Sequence, residues 1–398
     1  MSIFASILRS VYKLSGAKKA FALPEDALRK EIEKQNRHRG VFTPTDHKAH
    51  YAGLQRSARP IRQRLFPFSR KDRRRHDENA DCKDQIWRQA MKILVYGAGV
   101  LGCNLARNLF HAGKDVTLLA RGNWAEEIRK NGLRIRDQFS LRTSVSNIPV
   151  VMELAPNVRY DVIFVVLRYT QLDSALETLR ANQTKNIVFV GNNVQTRALA
   201  AALPEKNILF AFALSAGHRE PDRVVSIDLK KITIGQLRGA VSNAELIGEI
   251  FGGTKYKVVY EPNMEDYLLC HAAFVMPAAF ACYKTDGDLK KLRRNTVYLG
   301  RVIDANIEGY RAIRNAGHDI LPKADADFES EKYRKTCLRF FKLMCATSLG
   351  KLCASDHAMN AIDEMSALNR DIKRFFDENG AAYPVWQALE AEAGRYLR

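Results

Sequence analysis

The sequence predicts an α/β protein: a doubly wound parallel sheet, then an all-helical C-terminal domain, with a basic extension ahead of both. Three observations carry that prediction. Near residue 91 a short apolar run ends in spaced glycines and passes into a helical pattern. Strand-like and helix-like segments then alternate to about residue 262. Beyond Pro262 the strand signals stop and long helical patterns take over. The expected divisions are therefore 1–90, 91–262 and 263–398.

The extension comes first. Residues 1–90 hold 21 Lys and Arg against 10 Asp and Glu, net +11, so the remaining 308 residues supply only +8 of the chain's +19. Phe4, Ile7, Leu8, Val11 and Tyr12 recur among basic residues, which predicts an amphipathic segment over 1–22 able to touch a membrane surface or a partner weakly. Pro24, Glu25 and Asp26 open a charged helix to about Arg37. Arg56 to His76 is Arg-rich, broken by Pro60 and Pro67, and is expected to be disordered. Its densest basic run, residues 70–76, interleaves no aromatic ring for base stacking, so a nucleic-acid partner is not expected. Met91 reads as an original start, with 1–90 appended to an already complete protein.

Met91 to Tyr96 suits a buried parallel strand, and Gly97, Gly99 and Gly102 follow in G-x-G-x-x-G spacing. Val100 to Ala112 then shows a helical period at Leu101, Leu105, Leu109 and Phe110. Gly97 permits a tight turn, Gly99 close approach of a pyrophosphate, and Gly102 close packing of helix on strand. With Val100 and Leu101 they form a Rossmann-type cradle, the phosphates lying at the helix N-terminus. A second strand follows at Asp115–Ala120. An NAD site usually carries Asp or Glu at its end, but this chain has Arg121, 24 positions after Gly97. A guanidinium there pairs with a 2′-phosphate, so NADP(H) is the expected cofactor.

Further strands are predicted at Asp161–Leu167, Asn186–Gly191 and Asn207–Phe212, with helices near Gln171–Ala181 and Val194–Ala202. Arg223–Gln236 alternates like a hairpin: Val225, Ile227, Leu229, then Ile232, Ile234. The helical half is read as Met264–Tyr283, Leu289–Ala316, Ala326–Ser348 and Ala358–Glu378. No run of 18 apolar residues occurs, so no transmembrane helix is expected. The seven cysteines form no C-x-x-C pair, so neither a metal site nor a disulfide framework is indicated, and a cytoplasmic location is expected.

Over 91–398 the chain resembles the ketopantoate reductase (2-dehydropantoate 2-reductase) family. The likeness rests on Lys92 to Gly102, Arg121, the Leu167-Arg168-Tyr169-Thr170-Gln171 turn, the Gly191-Asn192-Asn193 turn, and the Asp363-Glu364 helix that runs to Gly380 and Pro384. The resemblance implies an NADPH-dependent reduction of ketopantoate to pantoate, on the way to coenzyme A, by a monomer or homodimer acting on a small keto acid. Carried over, Arg168 replaces a cofactor-binding Lys, Asn192 keeps the amide near the nicotinamide, and Glu364 takes the place of the substrate-gripping Glu. Asn193 and Gln195 replace family glycines. Residues 23–51 faintly resemble the leader of some bacterial α/β-hydrolase esterases, but no G-x-S-x-G elbow is present.

One departure bears on catalysis. The family places Lys and two Asn at steps of four ahead of a Pro; counted back from Pro277, these positions are Leu268, Ala272 and Met276. A ketone gains a hydride only if its oxygen is stabilised as charge develops. His271 is the nearest substitute and is expected to titrate near neutrality; Tyr267 and Lys284 are further candidates. Glu265 and Asp266 read as helix N-terminal acids favoured by the dipole. Two readings therefore stand: a reductase of a 2-oxo acid or related keto compound, and a non-catalytic NADP-binding protein.

Overall fold

The computed structural model describes residues 90–138 and 140–397. The expectations for residues 1–89, including the amphipathic and Arg-rich segments, lie outside the described residues. From Ala90 onward the chain forms one compact unit.

Among the described residues ten strands form one sheet: β1 (Lys92–Tyr96), β2 (Asp115–Leu119), β3 (Leu133–Asp137), β4 (Thr143–Ser146), β5 (Val150–Val151), β6 (Val162–Val165), β7 (Asn186–Val190), β8 (Asn207–Arg219), β9 (Val224–Gly235) and β10 (Lys257–Tyr260). The nucleotide half also holds α1 (Val100–Phe110), α2 (Gly122–Asn131), α3 (Leu172–Ala181), α4 (Thr196–Ala202) and α5 (Ala244–Phe251). Spatially, β5, β2, β1, β6, β7 and β8 are neighbours, all parallel. With the β3–β4 hairpin set aside, that is strand order 3-2-1-4-5-6, the doubly wound order that binds nucleotides where the winding reverses. The reversal lies at β1, between β2 and β6.

Both faces of the sheet are covered, so the middles of its central strands are apolar and buried: Ile93–Val95, Val162–Val165 and Ile187–Val190. Ile93 and Val95 of β1 pack with α1, α2 and α5 in one core. Leu94 points the other way, into a second core continuous with the helical half.

The strand-to-helix changeover falls between Tyr260 and Met264. The helical half holds α6 (Met264–Lys284), α7 (Leu289–Arg294), α8 (Thr296–Asn315), α9 (Glu331–Met344), a short α10 (Ser348–Gly350), α11 (Asp356–Asn360), α12 (Ile362–Glu378) and α13 (Pro384–Glu392). α6 is its axis, packing against α8, α12 and α13.

Four expectations are corrected, the first being Ala358–Glu378, which divides at Ala361 into α11 and α12. Arg223–Gln236 is no hairpin but one long strand, β9, antiparallel to β8. The change of alternation phase after Leu229 marks an irregularity: the register shifts between Ala213 and Ser215, and Lys230 adopts φ of 49°. Leu289–Ala316 divides at Asn295, whose side chain caps α8 by accepting from the Tyr298 N–H at 3.0 Å. Ala326–Ser348 narrows to Glu331–Met344, because Ser330 caps the helix through the Tyr333 N–H at 3.0 Å.

Candidate active site

The turn after β1 has its shape by steric necessity. Gly97 takes φ of 122°, and a side chain there would strike the carbonyl oxygen of Val166, at the end of β6. A side chain on Gly102 would strike the carbonyl of Gly97. One on Gly99 would meet nothing within 4 Å. That open face lies where α1 begins, with no side chain capping its first turn. The N–H groups of Val100, Leu101 and Gly102 are thereby left to receive an anion. The Trp124 indole of α2 braces the turn by donating to the Ala98 carbonyl at 2.9 Å. Arg121 sits immediately before α2, its side chain exposed and without a hydrogen-bond or ion-pair partner among the described residues.

Two further turns complete this edge of the sheet. After β6, the Arg168 side chain donates to Asp363 Oδ1 and to the Asn360 carbonyl, both at 3.4 Å. After β7, Asn192 Nδ2 donates to Glu364 Oε1 at 3.3 Å, while Asn192 Oδ1 is buried without a partner. Glu364 lies in the first turn of α12 and is buried. Asn193 Oδ1 accepts from the Gln195 N–H at 2.8 Å, leaving its buried Nδ2 unpaired. Behind the two turns lies a cavity of about 280 Å³ lined by Tyr169, Asn193, Gln195, Asp363 and Asp371, among others.

The structure thus brings Asn192, on the turn after β7, to Glu364 of α12, and Arg168, on the turn after β6, to the neighbouring Asp363. His271 stands apart from that group. Its ring packs on Phe212, centroids 3.9 Å apart. Phe212 follows Ala211, whose carbonyl accepts from the Gly191 N–H, so the imidazole lies near the same carboxyl edge. The ring is buried, and its Nδ1 has no partner. Burial, and secondarily His357, lowers the His271 pKa from 6.5 to about 3. The expectation of titration near neutrality is corrected accordingly: a desolvated imidazole with no carboxylate beside it stays neutral.

The other candidates on α6 are occupied or inert. Leu268, Ala272 and Met276 are each at most 1% exposed and belong to the apolar core. Tyr267 is buried, its hydroxyl pushed up to about 12. Lys284, at the opposite end of the helix, pairs with Glu392 at 3.4 Å.

Glu265 and Asp266 do more than meet a helix dipole. Arg197 grips Glu265 with two bonds of 2.6 and 2.7 Å. Asp266 accepts from Arg238 at 2.5 Å, from the Asp319 N–H at 2.7 Å and from Asn263 at 2.7 Å, and His318 Nδ1 lies 2.7 Å away. Burial alone would raise the Asp266 pKa, but the bonds from His318, Asp319 and Asn263 prevail and lower it. Glu265, Asp266 and His318 are near enough to share a metal ion, yet both carboxylates are already taken up by arginines.

Sequence reasoning missed Asp371, on which Tyr169 and Gln195 converge. The signal was present: Glu364 and Asp371 are seven apart, which places them on one face of a helix.

Residues 93–239 match the family model described as "Ketopantoate reductase PanE/ApbA". Over these residues the chain is similar to the ketopantoate reductase family. A 2-dehydropantoate 2-reductase of Pyrococcus horikoshii is 33% identical over 98 residues, 25% of this chain and 30% of that protein. The curated relatives are matched over at most 59% of their own length. The solved 2-dehydropantoate 2-reductase of Geobacter metallireducens superposes with a TM-score of 0.64 at 18% identity, covering 77% of this chain and 99% of that one. A D-mandelate dehydrogenase solved with NADH and anilino(oxo)acetate gives 0.62 at 15% identity, covering 77% and 98%. At these identities the structural likeness establishes the fold, a Rossmann-type sheet followed by a helical domain.

Proposed function

We propose that the chain is an NADP-dependent oxidoreductase that reduces a 2-oxo acid or related keto compound, ketopantoate being the family's own. The observation that carries this reading is the Asn192–Glu364 hydrogen bond beside an open glycine turn, with an unpaired Arg121 at the end of β2. The residues fit a dinucleotide. Gly99 leaves space, the α1 N-terminus offers N–H groups, and Asn192 Oδ1 is a buried acceptor still without a donor. The bound nicotinamide would supply a hydride. Gly97, Gly99, Val100, Leu101 and Gly102 would hold its phosphates, Arg121 the 2′-phosphate, with Arg168 and Asn192 completing the cofactor side. Glu364 orients the Asn192 amide and faces the substrate.

His271 is assigned to the keto oxygen as a neutral hydrogen-bond donor rather than as an imidazolium acid. A neutral imidazole can still stabilise developing negative charge through an N–H, and the alkoxide formed by hydride transfer would then take its proton from solvent.

The test is NADPH oxidation with ketopantoate and a panel of 2-oxo acids. Turnover of any member supports the reading. Tight NADPH binding with no turnover throughout would favour the second reading, a non-catalytic NADP-binding protein. The burial of Leu268, Ala272 and Met276, where the family carries its Lys and Asn pair, is the observation on that side.

A further inference from the structure

The two turns that carry Arg168 and Asn192 come from different strands, and a single carboxylate ties them to the helical half. Asp371 Oδ2 accepts from the Tyr169 hydroxyl at 2.9 Å and from Gln195 Nε2 at 2.7 Å. Tyr169 is next to Arg168, and Gln195 is three residues after Asn192. Asp371 Oδ1 is held by Arg374 and, at 3.4 Å, by Arg370, both on its own helix. The side chain is only 4% exposed, so these partners stand in for water. One register of α12 therefore sets four contacts at once: Asp363 to Arg168, Glu364 to Asn192, and Asp371 to both turns.

We infer that Asp371 is a positioning residue: it latches the turns after β6 and β7 to α12 and so holds Asn192 against Glu364. The inference rests on the proposed cofactor site, since it concerns what aligns that site. Gln195, a departure from the family glycine, is the donor that makes the latch possible on the β7 side. Two long lever arms meet at one buried acceptor, and an acceptor whose lone pairs are all engaged has one low-energy position.

The experiment measures NADPH affinity by fluorescence, together with melting temperature, in the intact chain and in Asp371→Asn, Gln195→Ala and the double variant. Gln195→Ala removes one partially exposed donor and keeps the carboxylate, so it remains informative if Asp371→Asn fails to fold. The latch predicts that each single variant weakens NADPH binding about fivefold or more, and that the double variant is no weaker than Asp371→Asn alone. Unchanged NADPH affinity in a folded single variant, with only the melting temperature lowered, would overturn the latch and leave Asp371 a stabilising residue. Additive losses in the double variant would also overturn it, because independent contacts add and a shared latch does not. If the wild type binds neither NADPH nor NADH, the cofactor reading itself falls.

Discussion

At the residue scale, the cofactor argument turns on one guanidinium. Arg121 stands at the end of β2 with nothing paired to it among the described residues, followed by Gly122, which has open space where a side chain would be. An Arg placed there prefers a 2′-phosphate to a hydroxyl because both its charge and its fork match the phosphate. NADPH should bind at least tenfold more tightly than NADH, and Arg121→Ala should remove most of that preference; titration of both cofactors into both proteins checks it. Equal affinities in the wild type would refute the assignment.

His271 gives a second expectation at this scale, in stability rather than rate. Its folded pKa lies below the unfolded 6.5, at about 3, so between those values the unfolded chain binds more protons than the folded one. The neutral ring's contribution is thus complete above pH 6.5 and is lost as pH falls toward 3, by up to ~1.4 kcal/mol per pH unit. His271→Leu should flatten the pH dependence of the melting temperature across that window. An unchanged profile would show that the ring is solvated.

At the scale of elements, α6 was read from the sequence to within one residue of its end, but its surroundings were not. It has 21 residues and is long and apolar enough to cross a membrane by length and composition, yet 89% of its most apolar window is buried inside the protein. The reason is its place as axis of the helical half, with neighbours on every side rather than one wet face. That burial changes what the family positions mean. Leu268 is a core residue, so Leu268→Lys should not simply restore a missing catalytic group. It should lower stability by on the order of 4 kcal/mol, the cost of an unpaired buried ammonium or its deprotonation. Chemical denaturation of the variant measures this. A well-folded Leu268→Lys that gains ketopantoate reduction would instead mean that α6 borders the substrate.

The strands and helices also show what pattern alone can read. β1, β6 and β7 were legible because each has a short apolar stretch, Ile93–Val95, Val162–Val165 and Ile187–Val190, next to charged, amide or glycine residues. The β3–β4 hairpin, β5 and β10 were not. β3 and β4 mix polar with apolar residues, β5 has only two residues and β10 only four, and β5 and β10 become strands through partners far away in sequence, β2 and β9. The breaks at Asn295 and Ala361 were invisible for a similar reason: both neighbouring segments keep a helical period, and the interruption is one residue's backbone.

At the scale of the whole molecule, the unit from Ala90 onward contains both cores and every candidate site residue. Residues 91–398 alone should therefore fold, and NADPH at a hundredfold excess over its Kd should raise their stability by ~2.7 kcal/mol, as it should for the full chain. Differential scanning of both proteins with and without cofactor tests this. An insoluble truncation, or one with no cofactor-dependent shift, would assign residues 1–90 a structural role.

By itself the sequence determined the glycine turn, the charge at the end of β2 and the passage from alternating strands to helices. These are local properties: spacing, side-chain chemistry and periodicity survive without knowledge of any distant contact. It also marked Asn192 and Glu364, though not that they touch. Only the tertiary structure decided that a bond joins them across 172 residues, that Asp371 gathers two separate turns, and that burial pushes the His271 pKa down. Each of those depends on which groups come together when the helical half closes on the sheet. A pKa and a hydrogen-bond partner are set by that environment, and no stretch of sequence contains it.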